Sequence, residues 1–211
     1  MGFSIPELMV AIAIFIAMMG GVYMSMAAGQ DSWGTTSLQI ELQQNLRLAL
    51  EKVSKELRET GSNSAGSMMV TINNNTGVNS SDVIKFFMPV ICESGDSIID
   101  SNGNVANWGA PLTWGCTSST CMDADNDCST VDYSYLEYAL NNNNQLERRV
   151  RNAADAVVRT DILAQRISNF QTVLNNNNTE ITITATALGT SIKRRTITMT
   201  DNIAVFLRNR G

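Results

Sequence analysis

Hydrophobic and polar positions fall along this chain in three regimes. From Leu8 to Gly29 run 22 consecutive residues without a charge, LMVAIAIFIAMMGGVYMSMAAG. As a helix rising 1.5 Å per residue, that stretch is about 33 Å long, enough to cross the hydrocarbon core of a bilayer. After Gly34 the pattern narrows to one stripe, because Leu38, Leu42, Leu46, Leu50, Val53 and Leu57 recur at steps of three and four. That period predicts a helix with one buried face. The pairs Glu51/Lys55 and Lys52/Glu56 stand four residues apart on its other faces, a spacing that stabilises exposed helix. Gly61 is in place for a C-terminal cap. The two patterns predict one helix over about residues 4 to 60, with Gly29 to Gly34 as the place for an interruption.

The third regime, residues 62–211, reads as strands with long loops. Asp82–Ile91 is an apolar run of strand length. Asp132–Leu140 and Gln145–Arg151 flank Asn141–Asn144, a hairpin with a polar turn. Phe170–Leu174 and Glu180–Ala187 flank a second asparagine turn, Asn175–Asn178. From Glu180 onward, threonine alternates with apolar residues, as expected of a sheet with one wet face. Asp161–Ser168 is read as a short helix, and Lys193–Met199 and Ile203–Leu207 as two further strands. A helix followed by antiparallel strands predicts an α+β fold: a long N-terminal helix packed on an antiparallel β-sheet head with long disulfide-containing loops. The segments are residues 3–29 for the membrane half of the helix, 30–61 for its amphipathic continuation and 62–211 for the head.

Composition narrows the function. The chain has 211 residues and no histidine, which removes Ser-His-Asp and Cys-His catalysis, histidine metal sites and histidine pH switching together. Nothing else resembles a nucleophile motif, so no enzymatic activity is expected. A net charge of −5 lacks the basic footprint of a nucleic-acid binder.

The four cysteines, Cys92, Cys116, Cys121 and Cys128, cluster in a stretch rich in Gly, Asn and Ser. An even, clustered count suits disulfides in an oxidising compartment. A zinc site would show paired Cys-x-x-Cys, whereas the intervening spacings here are 23, 4 and 6 residues. The pairing itself stays open among three connectivities. Between the last two cysteines, Asp123, Asp125 and Asp127 repeat the 1, 3, 5 spacing of an EF-hand loop. Its sixth position is Cys128 instead of glycine and its twelfth Ser134 instead of glutamate. A structural calcium ion and a solvated acidic loop are both compatible with that pattern. Trp108 and Trp114 lie in the same region, either as anchors for a partner or buried against the sheet.

Glu7 opens the apolar run. A carboxylate at membrane depth is costly and calls for a neutralising partner. The helix dipole favours it there by only about 0.3–1 kcal/mol. A secretory signal peptide would need a basic segment before the apolar run and a cleavage site after it. No Lys or Arg precedes this run, and the helical pattern continues past its end.

The segment Gly2-Phe3-Ser4-Ile5-Pro6-Glu7-Leu8-Met9-Val10-Ala11-Ile12-Ala13-Ile14 closely resembles the type IV prepilin signature. The resemblance implies that a prepilin peptidase cleaves after Gly2, that Phe3 becomes the methylated N-terminus, and that Glu7 is the glutamate that meets the N-terminal amine of a neighbouring subunit. Leu8, Val10, Ile12, Ile14 and Phe15 would then lie in the filament core. Met1-Gly2 is shorter than the family's usual basic leader, and Pro6 replaces an aliphatic residue, though proline suits a first helical turn. The kinking proline frequent in major pilins is absent and Gly20-Gly21 stands in that region, marking either a point that bends or melts or close helix packing. Gln44–Leu50 and Glu56–Gly61 resemble the same helix of PilW-type minor pilins and of the J-type minor pseudopilins of type II secretion. The expected protein is a minor pilin or pseudopilin: single-pass in the inner membrane, then built into a filament with other pilins and displayed in the periplasm or outside the cell. An anchored adhesin or ligand-binding module at a pilus tip is the alternative, with its task in residues 92–130.

Overall fold

A computed structural model describes residues 4–63, 65–90, 98–102, 104–110, 135–152, 154–175, 179–191 and 193–207. Its elements are a helix, α1 (Ile5–Leu57), and ten strands: β1 (Val70–Asn73), β2 (Val83–Phe86), β3 (Met88–Pro89), β4 (Trp108–Gly109), β5 (Tyr135–Leu140), β6 (Leu146–Arg151), β7 (Val157–Ala164), β8 (Ile167–Leu174), β9 (Glu180–Thr190) and β10 (Thr196–Phe206). The strands form a five-stranded sheet in the order β1-β2-β5-β6-β7, a three-stranded sheet β10-β9-β8 and a two-stranded β3-β4. The fold is α+β, with one long N-terminal helix on antiparallel sheets. Two compact units divide the chain: Met1–Glu41 with Gly189–Ile197, and Leu42–Leu188 with Thr198–Gly211.

In the second unit the leucine stripe is the core. Leu42, Leu46, Leu50, Val53 and Leu57 are all buried, as is Ala49 between them. Strand alternation supplies the other wall. In β6, Leu146, Arg148 and Val150 point inward while Glu147, Arg149 and Arg151 are half-buried on the other face. In β9, Ile181, Ile183 and Ala185 are buried between half-buried threonines, the one-wet-face pattern expected of it. Phe86 of β2 stacks on Tyr138 of β5, with ring centroids 5.5 Å apart. The two larger sheets are stitched through Asp82: its N–H donates to the Phe170 carbonyl at 2.7 Å, and its Oδ2 accepts from the Thr172 N–H at 2.6 Å.

Asparagine makes the turns. Asn141 Oδ1 accepts from the N–H groups of Asn143 and Gln145, and Asn144 takes a left-handed φ of 57° that asparagine tolerates better than most residues. Asn175 Oδ1 likewise accepts from the Thr179 and Glu180 N–H groups.

Several local expectations are corrected. Asp161–Ser168 is not a helix: it is the end of β7, a turn at Gln165-Arg166 and the start of β8. Arg166 has φ +59°, incompatible with a right-handed helix, and β6 pairs with residues 157–164 as a ladder. Eight residues are too few for periodicity to separate the two states, so pairing decides. Lys193–Met199 and Ile203–Leu207 merge into the single β10; the polar Thr200–Asn202 that read as a gap sit on an outer strand of the sheet, where polar side chains meet water. Asp82–Ile91 is broken at Phe87, whose N–H donates to the Met69 carbonyl instead. Gly61 does not cap α1, which ends at Leu57; its carbonyl accepts from Met69. Neither Gly20-Gly21 nor Gly29–Gly34 interrupts the helix.

Candidate assembly site

The first turn of α1 is tied by its own residues. Ser4 precedes the helix and Glu7 stands three residues on, and Glu7 Oε2 accepts from both the Ser4 N–H and the Ser4 Oγ, each at 3.0 Å. This is the carboxylate half of a capping box. Pro6 sits inside the same turn, where no intrahelical donor is lost. The two bonds satisfy an oxygen but bring no positive charge. Among the described residues no Lys or Arg pairs with Glu7.

Beyond Glu7, every residue through Gln30 is exposed. Leu8, Val10, Ile12, Ile14 and Phe15 are each at least half exposed. A soluble monomer keeps its largest apolar patch to about 300–600 Å², and a helix apolar on all sides over six turns has no soluble resting place. The span is long and apolar enough to cross a membrane and fits a single-pass anchor. A Cβ added at Gly20, Gly21 or Gly29 would meet nothing within 4 Å, so among the described residues nothing requires those glycines.

In the second unit, the far end of α1 is fastened by charge. Glu56 is 2% exposed and Arg148, on β6, is fully buried. Arg148 Nε donates to both carboxylate oxygens at 3.1 Å, the Tyr138 hydroxyl donates to Oε2, and Arg148 Nη1 lies 3.6 Å from Asp161 Oδ2 on β7. Burial, reinforced by the negative Glu56, pushes the Tyr138 phenol well above its ordinary range, partly opposed by Arg148. The hydroxyl therefore keeps its proton and donates. Such a pair is a poor source of net stability because desolvation offsets attraction, but removing either partner would strand the other charge in the core. The expectation that Glu56 decorates a solvated face with Lys52 is corrected: it faces the core.

A second ionic cluster occupies the opposite face of the five-stranded sheet. Glu137 is buried between Arg151 Nη2, donating at 2.8 Å, and Arg149 Nη1, donating at 3.1 Å, with Lys85 Nζ 3.7 Å away. Burial alone would raise the Glu137 carboxyl, but the bonds and charges of Arg151 and then Arg149 outweigh it and hold it below the usual carboxylate range. Arg149 is also held by Glu147 at 2.7 Å. Each of these groups is spent on a partner, which makes the cluster a brace for the sheet.

Of the residues singled out by sequence, Glu7 and the apolar positions after it fall together at the start of α1. Gly2 and Phe3, the four cysteines Cys92, Cys116, Cys121 and Cys128, Asp123, Asp125 and Asp127, and Trp114 lie outside the described residues. Trp108 is half-buried in β4. Among the described residues no group of three or more Cys, Asp or Glu is placed to hold a metal. Sequence reasoning missed the Glu56–Arg148–Tyr138 network. Its signal was an arginine at an inward position between Leu146 and Val150, which demands a buried acid. No family model, curated protein or solved structure matches the chain.

Proposed function

We propose that the chain is a structural, non-catalytic subunit of a type IV pilin-like filament, of the minor pilin or minor pseudopilin kind. Before assembly it sits in the inner membrane through residues 3–29, and a prepilin peptidase cleaves after Gly2 and leaves a methylated Phe3. It then joins other pilins, with the apolar half of α1 in the filament core and the head facing the periplasm or the cell exterior.

The observation that supports this reading is the coincidence of Glu7, a carboxylate with no Lys or Arg partner among the described residues, with an exposed apolar helix. A simple anchor needs only the helix. An acid at its entrance is unfavourable in lipid unless another molecule brings a cation, and the N-terminal amine of a neighbouring subunit is such a cation in an otherwise apolar packing.

Glu7→Ala tests it. Incorporation into filaments, measured by immunoblot of sheared filaments, is expected to fall at least tenfold, about the effect of losing one charged pair in an apolar setting, while the unfolding midpoint of the full chain in detergent stays unchanged. Mass spectrometry of the mature protein is expected to find methylated Phe3 at its start. Undiminished incorporation of Glu7→Ala would sink the proposal.

A further inference from the structure

In the first unit the turn between β9 and β10 meets α1 just past its uncharged span. Lys193 Nζ lies 2.8 Å from Asp31 Oδ2. Asp31 follows Gly29 by two residues, about 3 Å along the helix axis. Seven residues on, and so on the same helix face, Leu38 is buried against Gly189: a Cβ on that glycine would stand 2.9 Å from Leu38 Cδ1. The hairpin end is therefore seated on α1 by a close apolar contact and an ion pair, at the level where the apolar span gives out.

What this seating presents is positive. Lys193, Arg194 and Arg195 are consecutive and exposed, turned by a left-handed Arg194 with φ +58° and held by the Arg194 N–H donating to the Ser191 carbonyl at 2.8 Å. Lys193 is engaged by Asp31, but among the described residues no carboxylate pairs with Arg194 or Arg195. Three adjacent cations run against a chain whose net charge is −5. Two residues beyond Asp31 on α1, Trp33 is exposed, a residue type that collects at a membrane–water boundary.

We infer that this turn is a lipid-headgroup contact: Arg194 and Arg195, with Lys193, lie against anionic phospholipids of the bilayer that holds α1. The inference rests on the membrane reading of α1. A cation at the end of the span is within the Debye length of about 8 Å from an anionic surface, where each basic residue adds attraction, and a guanidinium matches a phosphate bidentately. The acidic remainder of the chain would be repelled by the same surface, so the contact also orients the hairpin end toward the lipid.

The test uses the full chain in liposomes of phosphatidylcholine, with and without phosphatidylglycerol, followed by hydrogen exchange at residues 5–30 and 190–197. The span is expected to be protected in both lipids. The turn is expected to exchange roughly tenfold more slowly only with phosphatidylglycerol, as a few basic residues at an anionic surface provide. That difference is expected to vanish in high salt and in the double variant Arg194→Gln/Arg195→Gln, which leaves the Lys193–Asp31 pair intact. A protected span with equal turn exchange in the two lipids overturns the headgroup contact while leaving the membrane reading standing. Turn protection that follows protein density, independent of phosphatidylglycerol, assigns the cations to an acidic face of a neighbouring chain and also overturns it. Free exchange of residues 5–30 in both lipids removes the membrane reading, and the contact with it.

Discussion

The two halves of α1 share one backbone conformation and have opposite relations to the rest of the chain. Between Leu42 and Leu57 every member of the apolar stripe is buried, and Glu56 is drawn into the core by Arg148 and Tyr138. Between Ser4 and Gln30 no residue is buried at all, and among the described residues Glu7 finds hydrogen bonds but no cation. The second half satisfies its apolar face and its buried acid within the molecule. The first has the same two needs, an apolar surface and an acid, and among the described residues neither is met. That difference separates a half that folds into the head from a half exposed along its length, and it is legible only by asking where each side chain's partners are.

Substitutions in the two halves should therefore fail in different assays. The largest expected effect is at Arg148→Met, which strands Glu56 in the core. Loss of one member of a buried pair costs about 3–5 kcal/mol, read as a drop in thermal unfolding midpoint, and Glu56→Leu in the same chain is expected to restore much of it. Next comes a matched pair of truncations. Leu46→Ala should destabilise the head by about 2–5 kcal/mol, as core leucines do, whereas Ile12→Ala should change head stability by less than about 0.5 kcal/mol and weaken filament incorporation instead. Equal effects of the two on unfolding would erase the contrast between the halves.

The smallest effect is a pH dependence of the head. The Glu137 carboxyl is held low by Arg151 and Arg149 against the opposing effect of burial. A depressed folded pKa gives stability that is present above the unfolded value of about 4.3 and is lost as pH falls through the folded value. The unfolding midpoint should thus decline on acidification below about pH 4, and Glu137→Gln should flatten that decline.

Much of the architecture could be read from local pattern. The step of three and four from Leu38 to Leu57 identified the buried face of α1, and the threonine alternation in β9 identified its wet and dry sides. Asn141–Asn144 announced a hairpin because asparagine both tolerates a left-handed φ and hydrogen-bonds the backbone beside it. The failures share a cause. Asp161–Ser168 has helix-forming residues, yet β6 offers it a ladder of partners and Arg166 is forced left-handed, so tertiary pairing overrode local preference. Glu56 looked like half of a surface pair with Lys52, because a sequence does not reveal that an arginine 92 positions later waits at an inward register.

From its own sequence, this protein determined that its N-terminal helix carries an apolar span of membrane length, which stripe of the continuation is buried, and that an acid stands at the start of the span; each follows from short-range periodicity and charge. Only the tertiary structure decided which acid goes inside, which strands pair, and that Lys193 returns to Asp31 at the edge of the apolar span. Those depend on contacts between residues far apart in the chain, whose closeness is set by the packing of whole elements.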